Sequence, residues 1–171
     1  MTKESNSGRD GKRPFCYSHP RPAVTADIIL FRLVSGQIQV LLIKRANDPY
    51  KGKWALPGGF VDENERLEHA AARELEEETG VKRVRLEQVA TFGDPGRDPR
   101  GHTVSVAFAG VLGRHQEVTA GDDAAEADWH PVHRPPPLAF DHKKILSVAL
   151  AHVFGKQPGQ AAPRSATGKD R

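Results

Sequence analysis

Acidic side chains are concentrated in residues 65–79, a stretch without Pro or Gly that is rich in Ala, Leu, Glu and Arg. This composition predicts one helix, with Gly80 as its C-cap. At about 100° per residue, Glu74, Glu77 and Glu78 share one face, which leans toward the protein. Like charges at these spacings are unfavourable and oppose the helix dipole. A divalent cation would turn the cluster into a binding site, and carboxylate oxygens suit Mg²⁺ or Mn²⁺.

The same acids also have a plainer explanation. Charge runs on helices are usually solvated faces laced with salt bridges, and Arg73 and Glu77 have the spacing of such a pair. The segment just upstream favours the binding site, because residues 54–59 read WALPGG and form a Gly-rich turn before the helix. Gly58 and Gly59 allow positive φ angles and a close approach of substrate or metal to the backbone.

Together these residues match the Nudix box, the signature of the Nudix hydrolase superfamily. Gly59 is followed, at the required spacings, by Glu, by Arg-Glu-Leu, by a Glu pair and by Gly-Val, so that all nine specified positions of residues 59–81 match. The resemblance covers roughly residues 21–154. It implies an α/β fold, a Nudix-type α/β/α sandwich with a mixed β-sheet. It also implies metal-dependent hydrolysis of a nucleoside diphosphate linked to another group.

The resemblance assigns functional roles to particular residues of this chain. Metal binding falls to Glu74, Glu77 and Glu78, with the Gly59 carbonyl as a further ligand, and the last two glutamates are also catalytic. The physical need is clear. A diphosphate repels a water nucleophile until a metal ion neutralises its oxygens and lowers the pKa of the water.

A second segment bears on the substrate. Residues 93–102 read GDPGRDPRGH, which fits a simple turn. Yet the segment places Arg97, Arg100 and His102 on a connection, where binding groups often lie, and Arg suits bidentate contact with phosphate. Together with residues 20–25, it resembles the ADP-ribose pyrophosphatase branch of the superfamily. That resemblance implies the hydrolysis of ADP-ribose to AMP and ribose 5-phosphate.

Two further candidate functional residues each have an alternative explanation. Arg45 ends a predicted strand and could reach phosphate or be an exposed strand end. Glu126 is the candidate general base, because in related proteins an acid shortly before a Trp such as Trp129 often reaches the metal site. A solvated acidic loop explains it equally well, and Asp122 and Asp123 are the fallback candidates.

Hydrophobic runs predict the elements that position these side chains. Ser35 and Gly36 join the first two strands in a hairpin. Asp141 is expected to N-cap a second helix that ends near Phe154, and His142 is left without an assigned role. The predicted strands are residues 23–34, 37–45, 84–92, 103–112 and 128–132.

Charge is unevenly distributed along the 171 residues. Residues 1–21 and 156–171 each carry a net charge of +3, whereas residues 22–155 carry −3. We therefore expect one domain over residues 21–155, between mobile tails at 1–20 and 156–171. The basic charge belongs to the tails, so we expect a small-molecule nucleotide substrate and no specific nucleic-acid partner.

Cysteine usage and hydropathy give the remaining expectations. The single Cys16 excludes an internal disulfide, and no apolar run is long enough for a signal sequence or a membrane span. These features predict a cytoplasmic protein without a membrane partner. Homodimers are common among the proteins it resembles, which makes a homodimer one possible assembly.

Two other functions are compatible with the box. The first is a pyrophosphohydrolase of damaged nucleoside triphosphates or other dinucleotides, since the box reports the diphosphate chemistry and not the leaving group. The second is an ADP-ribose-sensing regulator, which would carry a DNA-binding winged helix after the Nudix domain and would often lack box acids. All the acids are present, and only residues 156–171 follow the last predicted helix, which favours an enzyme.

Overall fold

A computed structural model of the protein describes residues 17–113, 116–121 and 124–155. Most of the predicted tails, together with Cys16, Asp122 and Asp123, lies outside the described residues. The described chain forms seven strands and two helices. They are β1 (Ala23–Val34), β2 (Gln37–Arg45), β3 (Trp54–Ala55), β4 (Gly58–Phe60), α1 (Leu67–Thr79), β5 (Glu87–Phe92), β6 (Thr103–Val111), β7 (Ala124–Pro131) and α2 (His142–Phe154).

Strand β1 is the centre of the sheet. It pairs in parallel with β6 on one edge, while β2 and β4 occupy successive stretches of the other edge in antiparallel orientation. β5 continues the sheet beyond β6, and both β3 and β7 pair with β2. The parallel pair among antiparallel pairs confirms the mixed sheet. The pairing also brings the Gly-rich turn directly alongside the first half of β1.

Both faces of β1 are buried, which is why its sequence is a continuous apolar run instead of an alternating one. Ile28 and Leu30 point to the face covered by α1, where they join Leu75 in one core cluster. Ile29 points to the opposite face and packs in a second cluster with Ile145 of α2. One helix therefore covers each face, and the predicted α/β/α sandwich is confirmed.

The β1–β2 hairpin agrees with the sequence prediction at both strand boundaries. Its two turn residues, Ser35 and Gly36, have φ angles of 50° and 76°, as a tight hairpin turn requires. The C-cap at Gly80 also agrees, with a φ of 70° and an N–H that donates to the Glu76 carbonyl. These features depend on local sequence, which explains the agreement.

Other boundaries differ from the prediction. Helix α1 begins two residues late, at Leu67, because Arg66 before it has an extended backbone with a ψ angle of 143°. Strand β5 begins at Glu87 instead of residue 84, after Arg83 adopts a φ of 55° that breaks extended structure. Strand β7 begins at Ala124 and not at residue 128.

Asp141 occupies the N-cap position of α2, but its side chain makes no capping hydrogen bond. The expected capping role for this carboxylate is therefore wrong, and its actual partner is an arginine described below. Neither of the two described helices has the length and hydropathy needed to cross a membrane.

Candidate active site

The Gly-rich turn packs directly against the acidic helix. Gly58 has a φ of 151°, and a Cβ atom there would overlap the carbonyl of Ala26. Its N–H donates to Glu78 Oε2 over 2.8 Å. A Cβ atom on Gly59 would overlap the carboxylate of Glu74. The turn therefore needs glycine at both positions, because it lies between β1 and the carboxylates of α1.

The three box acids lie in different environments. Glu78 is 9% exposed and Glu74 is largely buried, whereas the Glu77 side chain is 57% exposed. All three nevertheless line one open cleft of about 450 Å³, together with Gly58 and Gly59. The spacing argument thus placed them correctly on one side of the helix. It did not reveal that Glu77 would stand at the rim.

Arg73 forms hydrogen bonds with three glutamates beside the cleft. Its Nε and Nη2 donate to the two oxygens of Glu65, and its Nη1 donates to Glu74 and Glu77 over 2.8 and 3.0 Å. The hydrogen bonds from Arg73 to Glu65, followed by one from the Asp62 N–H, lower the pKa of Glu65 to about 2. Among the described residues, no three acidic, His or Cys groups stand ready to enclose an ion. The hydrogen bond from Arg73 to Glu77 uses only Oε2, which leaves Oε1 of this carboxylate outside the network.

The chemistry of the acid cluster fits a divalent cation. Burial raises the pKa of Glu78 to about 8. The hydrogen bond from the Gly58 N–H acts in the opposite direction and lowers this pKa, while the neighbouring Glu74 charge raises it further. Burial likewise raises the pKa of Glu74. Two buried carboxylates whose charged forms are disfavoured gain stability from a bound cation. With Glu77 and the Gly59 carbonyl they make a donor set of oxygens alone, which suits Mg²⁺ or Mn²⁺.

Two arginines face the acids across the cleft. Arg45 is anchored by a hydrogen bond from Nε to the Pro49 carbonyl over 2.7 Å. Arg100 pairs with Asp98, and its guanidinium carbon lies 4.7 Å from the centre of the Phe60 ring. Burial, followed by the nearby Arg100 charge, lowers the pKa of Arg45. Two neighbouring cations with part of their donors free can bind a phosphate group.

The Arg97 side chain, by contrast, is buried in the protein interior. Its side chain is 5% exposed, and its Nε and Nη2 donate to the two carboxylate oxygens of Asp141 over 3.0 and 2.6 Å. This bidentate pair ties the loop of residues 93–102 to the start of α2. Arg97 does not line the main cleft; it lines a smaller cavity behind it.

Neither His102 nor Glu126 is among the described residues that line the cleft. His102 is exposed, and its carbonyl accepts a hydrogen bond from the Ala23 N–H. The Glu126 side chain is 51% exposed and pairs with Lys44 over 3.3 Å, across the β2–β7 ladder. The roles expected for these two residues gain no support from this geometry and stay predictions.

Sequence reasoning missed a group of buried polar residues behind the Gly-rich turn. Asp27 on β1 accepts a hydrogen bond from Ser105 on β6, and Nε2 of His142, at the start of α2, lies 3.9 Å from Asp27 Oδ2. The one available signal was a lone acid within the apolar run ADIILF of residues 26–31. Such a residue is seldom buried without a partner, so its position marks a structural or functional site.

Comparison with known proteins agrees with this geometry. Residues 21–149 match the NUDIX domain family. An ADP-ribose pyrophosphatase of Methanocaldococcus jannaschii is 43% identical over 139 residues, which are 81% of this chain and 78% of the relative. The ADPR responsive transcriptional repressor NtrR of Acinetobacter baylyi is 38% identical over 86% of this chain, which spans 60% of the repressor. The NUDIX domain of Shewanella oneidensis NrtR, solved in complex with ADP ribose, has a TM-score of 0.74 at 34% identity, over 79% of this chain and 90% of that one. The chain therefore belongs to the NUDIX domain family and is a Nudix hydrolase that resembles ADP-ribose pyrophosphatases.

Proposed function

We propose that the protein hydrolyses ADP-ribose to AMP and ribose 5-phosphate, with Mg²⁺ or Mn²⁺ as its cofactor. The observation that carries this proposal is the cleft in which buried Glu74 and Glu78 face Arg45 and Arg100 across the Gly-rich turn. A diphosphate needs both cation-binding carboxylates and positive groups for its oxygens. Two similar proteins, an ADP-ribose pyrophosphatase and a NUDIX domain solved in complex with ADP ribose, support this choice of substrate.

Each group in the cleft has a distinct task in this reaction. Glu74, Glu77, Glu78 and the Gly59 carbonyl would hold the metal, which neutralises phosphate charge and lowers the pKa of water. Arg45 and Arg100 bind the diphosphate oxygens and fix the direction in which the substrate lies. Gly58 lines the cleft with its backbone, which the substrate would contact.

The general base remains a prediction. Glu126 must leave Lys44 to reach the cleft, and it lies on β7 beside β2, whose last residue is Arg45. A base that acts only in the transition state affects kcat and leaves substrate affinity almost unchanged. Arg97 and His102, which do not line the cleft, stay weaker candidates for contact with substrate.

Product analysis tests the proposed reaction. The wild-type protein is incubated with Mg²⁺ and, separately, with ADP-ribose, NADH, diadenosine polyphosphates and 8-oxo-dGTP. We expect ADP-ribose to have the highest kcat/KM and to yield AMP and ribose 5-phosphate. Glu78→Gln should lower kcat by roughly 100-fold, while Glu68→Gln, on the exposed side of α1, serves as the matched control. A higher kcat/KM for a nucleoside triphosphate would refute the substrate, and near-normal turnover by Glu78→Gln would refute the role of the acids.

A regulatory function is the second candidate, because the chain is also similar to an ADPR responsive repressor. Binding of ADP-ribose without turnover would favour it. The complete set of box acids favours turnover, since a sensor needs the ligand to persist. The cytoplasmic location and the homodimer also stay predictions, which fractionation and light scattering would test.

A further inference from the structure

A small polar cavity lies behind the Gly-rich turn. It has a volume of about 40 Å³ and shares Arg45, Gly58, Gly59 and Arg100 with the main cleft. A substrate bound in the cleft can therefore extend into the cavity past the two arginines. The innermost side chains are those of Asp27, Arg97 and His142, all of which are buried.

Asp27 has hydrogen-bonding capacity that the protein does not use. Within the described part of the chain, its carboxylate accepts a single direct hydrogen bond, from Ser105 Oγ. Arg97 Nη2 and His142 Nε2 lie 3.8 and 3.9 Å from its Oδ2, which is too far for a hydrogen bond. An ionised carboxylate can accept about four hydrogen bonds, and buried polar groups are rarely left short of partners. The free acceptor positions of Asp27 therefore need a donor from the cavity.

His142 presents the complementary group. Its Nδ1 accepts a hydrogen bond of 2.9 Å from the backbone N–H of Leu56. A neutral imidazole that accepts at Nδ1 carries its proton on Nε2, so that Nε2 is a donor. Burial lowers the pKa of His142, which favours this neutral form. The cavity thus places a donor and an acceptor side by side, without a direct hydrogen bond between them.

A hydroxyl group matches this pair, because it donates one hydrogen bond and accepts others. The cavity has room for such a group, since its volume of about 40 Å³ is more than one water molecule needs. A phosphate oxygen fits this pair less well, because an anionic oxygen carries no proton to donate to the Asp27 carboxylate. The Asp27 acceptor and the His142 donor together therefore favour a hydroxyl group.

We propose that Asp27 and His142 form a subsite for the hydroxyl groups of the sugar at the far end of the substrate from the nucleobase. This inference rests on the proposed function, and it names the residues that select the sugar. Arg45 and Arg100 lie at the junction of cleft and cavity. They would hold the diphosphate while the distal ribose enters the cavity with its hydroxyl edge first.

The test compares two substrates that differ only beyond the diphosphate. One is ADP-ribose, and the other is the methyl ester of ADP on its terminal phosphate, which has no distal sugar. The measured quantity is the ratio of their kcat/KM values. Asp27→Asn keeps the shape but changes an acceptor into a donor, and we expect the ratio to fall at least about tenfold. Asp94→Asn, on the exposed part of the neighbouring loop, is the matched control and should leave the ratio unchanged.

A second variant, His142→Asn, tests the same subsite if Asp27→Asn does not fold. In His142→Asn, the amide oxygen can still accept the hydrogen bond from the Leu56 N–H, while the donor at the Nε2 position is lost. The ratio should again fall. Equal losses with both substrates would mean that these residues only support the turn, which overturns the subsite. A wild-type ratio near one would overturn it as well. Absence of turnover with both substrates would instead refute the proposed function itself.

Discussion

Replacing the most buried acid of the cleft should change how stability depends on pH. Burial raises the pKa of Glu78 to about 8 from an ordinary value of 4.5. The pKa of Glu78 is higher in the folded protein than in the unfolded chain. The contribution of the protonated Glu78 to stability is therefore fully present below the unfolded-state pKa, and it is lost as the pH rises toward about 8. A shift of this size corresponds to on the order of 4 kcal/mol of unfolding free energy. Glu78→Gln removes the charge and should abolish this loss.

Denaturant unfolding with EDTA, at pH 5 and at pH 9, measures the effect. Between these pH values the wild type should lose on the order of 4 kcal/mol more stability than Glu78→Gln. The glutamine oxygen can still accept the hydrogen bond from the Gly58 N–H, so the turn is preserved. Glu77→Gln is the control, because water already solvates that side chain. Addition of Mg²⁺ at pH 9 should restore the wild type and not Glu78→Gln. Equal pH dependence of wild type and Glu78→Gln would refute the argument from burial.

Four other predictions concern the remaining groups. EDTA should abolish activity and Mg²⁺ should raise the Tm, because the ion binds the native state selectively; an unchanged Tm would argue against a metal site. Arg100→Ala should raise KM for ADP-ribose about tenfold and should also lower the Tm, because the buried Asp98 carboxylate loses its ion-pair partner. Arg97→Ala should destabilise the fold by on the order of 3 kcal/mol, because Asp141 loses its partner, and a normal Tm would contradict this. Glu126→Gln should lower kcat with KM almost unchanged, and equal losses from Asp122→Asn would point to a diffuse electrostatic effect.

Local signals in the sequence predicted a large part of the fold. The Ser35–Gly36 turn and the apolar runs beside it predict β1 and β2, and Gly80 predicts the end of α1. Strands β3 and β4 were not predicted, because two or three residues carry no periodicity. They exist because the backbone of the Gly-rich turn pairs with β1 and β2, a contact between segments that are distant in sequence.

The candidate site likewise contains residues that local sequence predicts and residues that it does not. Glu74, Glu77 and Glu78 were found because their spacing lies within one helix. Asp27 and His142 come from β1 and α2, and the topology alone brings them to one cavity. Sequence reasoning can flag such residues when a lone polar residue interrupts an apolar run, but it cannot pair them.

Arg97 and Arg100 show why residue type and loop position do not determine a role. Both belong to one short connection, and both are suited to phosphate. The Asp141 carboxylate at the start of α2 accepts two hydrogen bonds from Arg97, so that the Arg97 side chain holds the loop in place. Arg100 is held by Asp98, its neighbour in the loop, and stacks over Phe60 at the cleft. The partner of each arginine therefore separates the anchor from the candidate ligand-binding group.

The acidic helix is held in position by contacts that do not require a metal. Its inner face packs Ala70, Ala71 and Leu75 into the core. At its C-terminal end, where carbonyl groups lack partners within the helix, the N–H groups of Thr119 and Gly121 donate to the carbonyls of residues 79 and 78 over 3.0 and 3.1 Å. Core packing and this cap offset the unfavourable burial of the acids. These contacts therefore keep the three carboxylates on the side of α1 that lines the cleft, whether or not a cation is present.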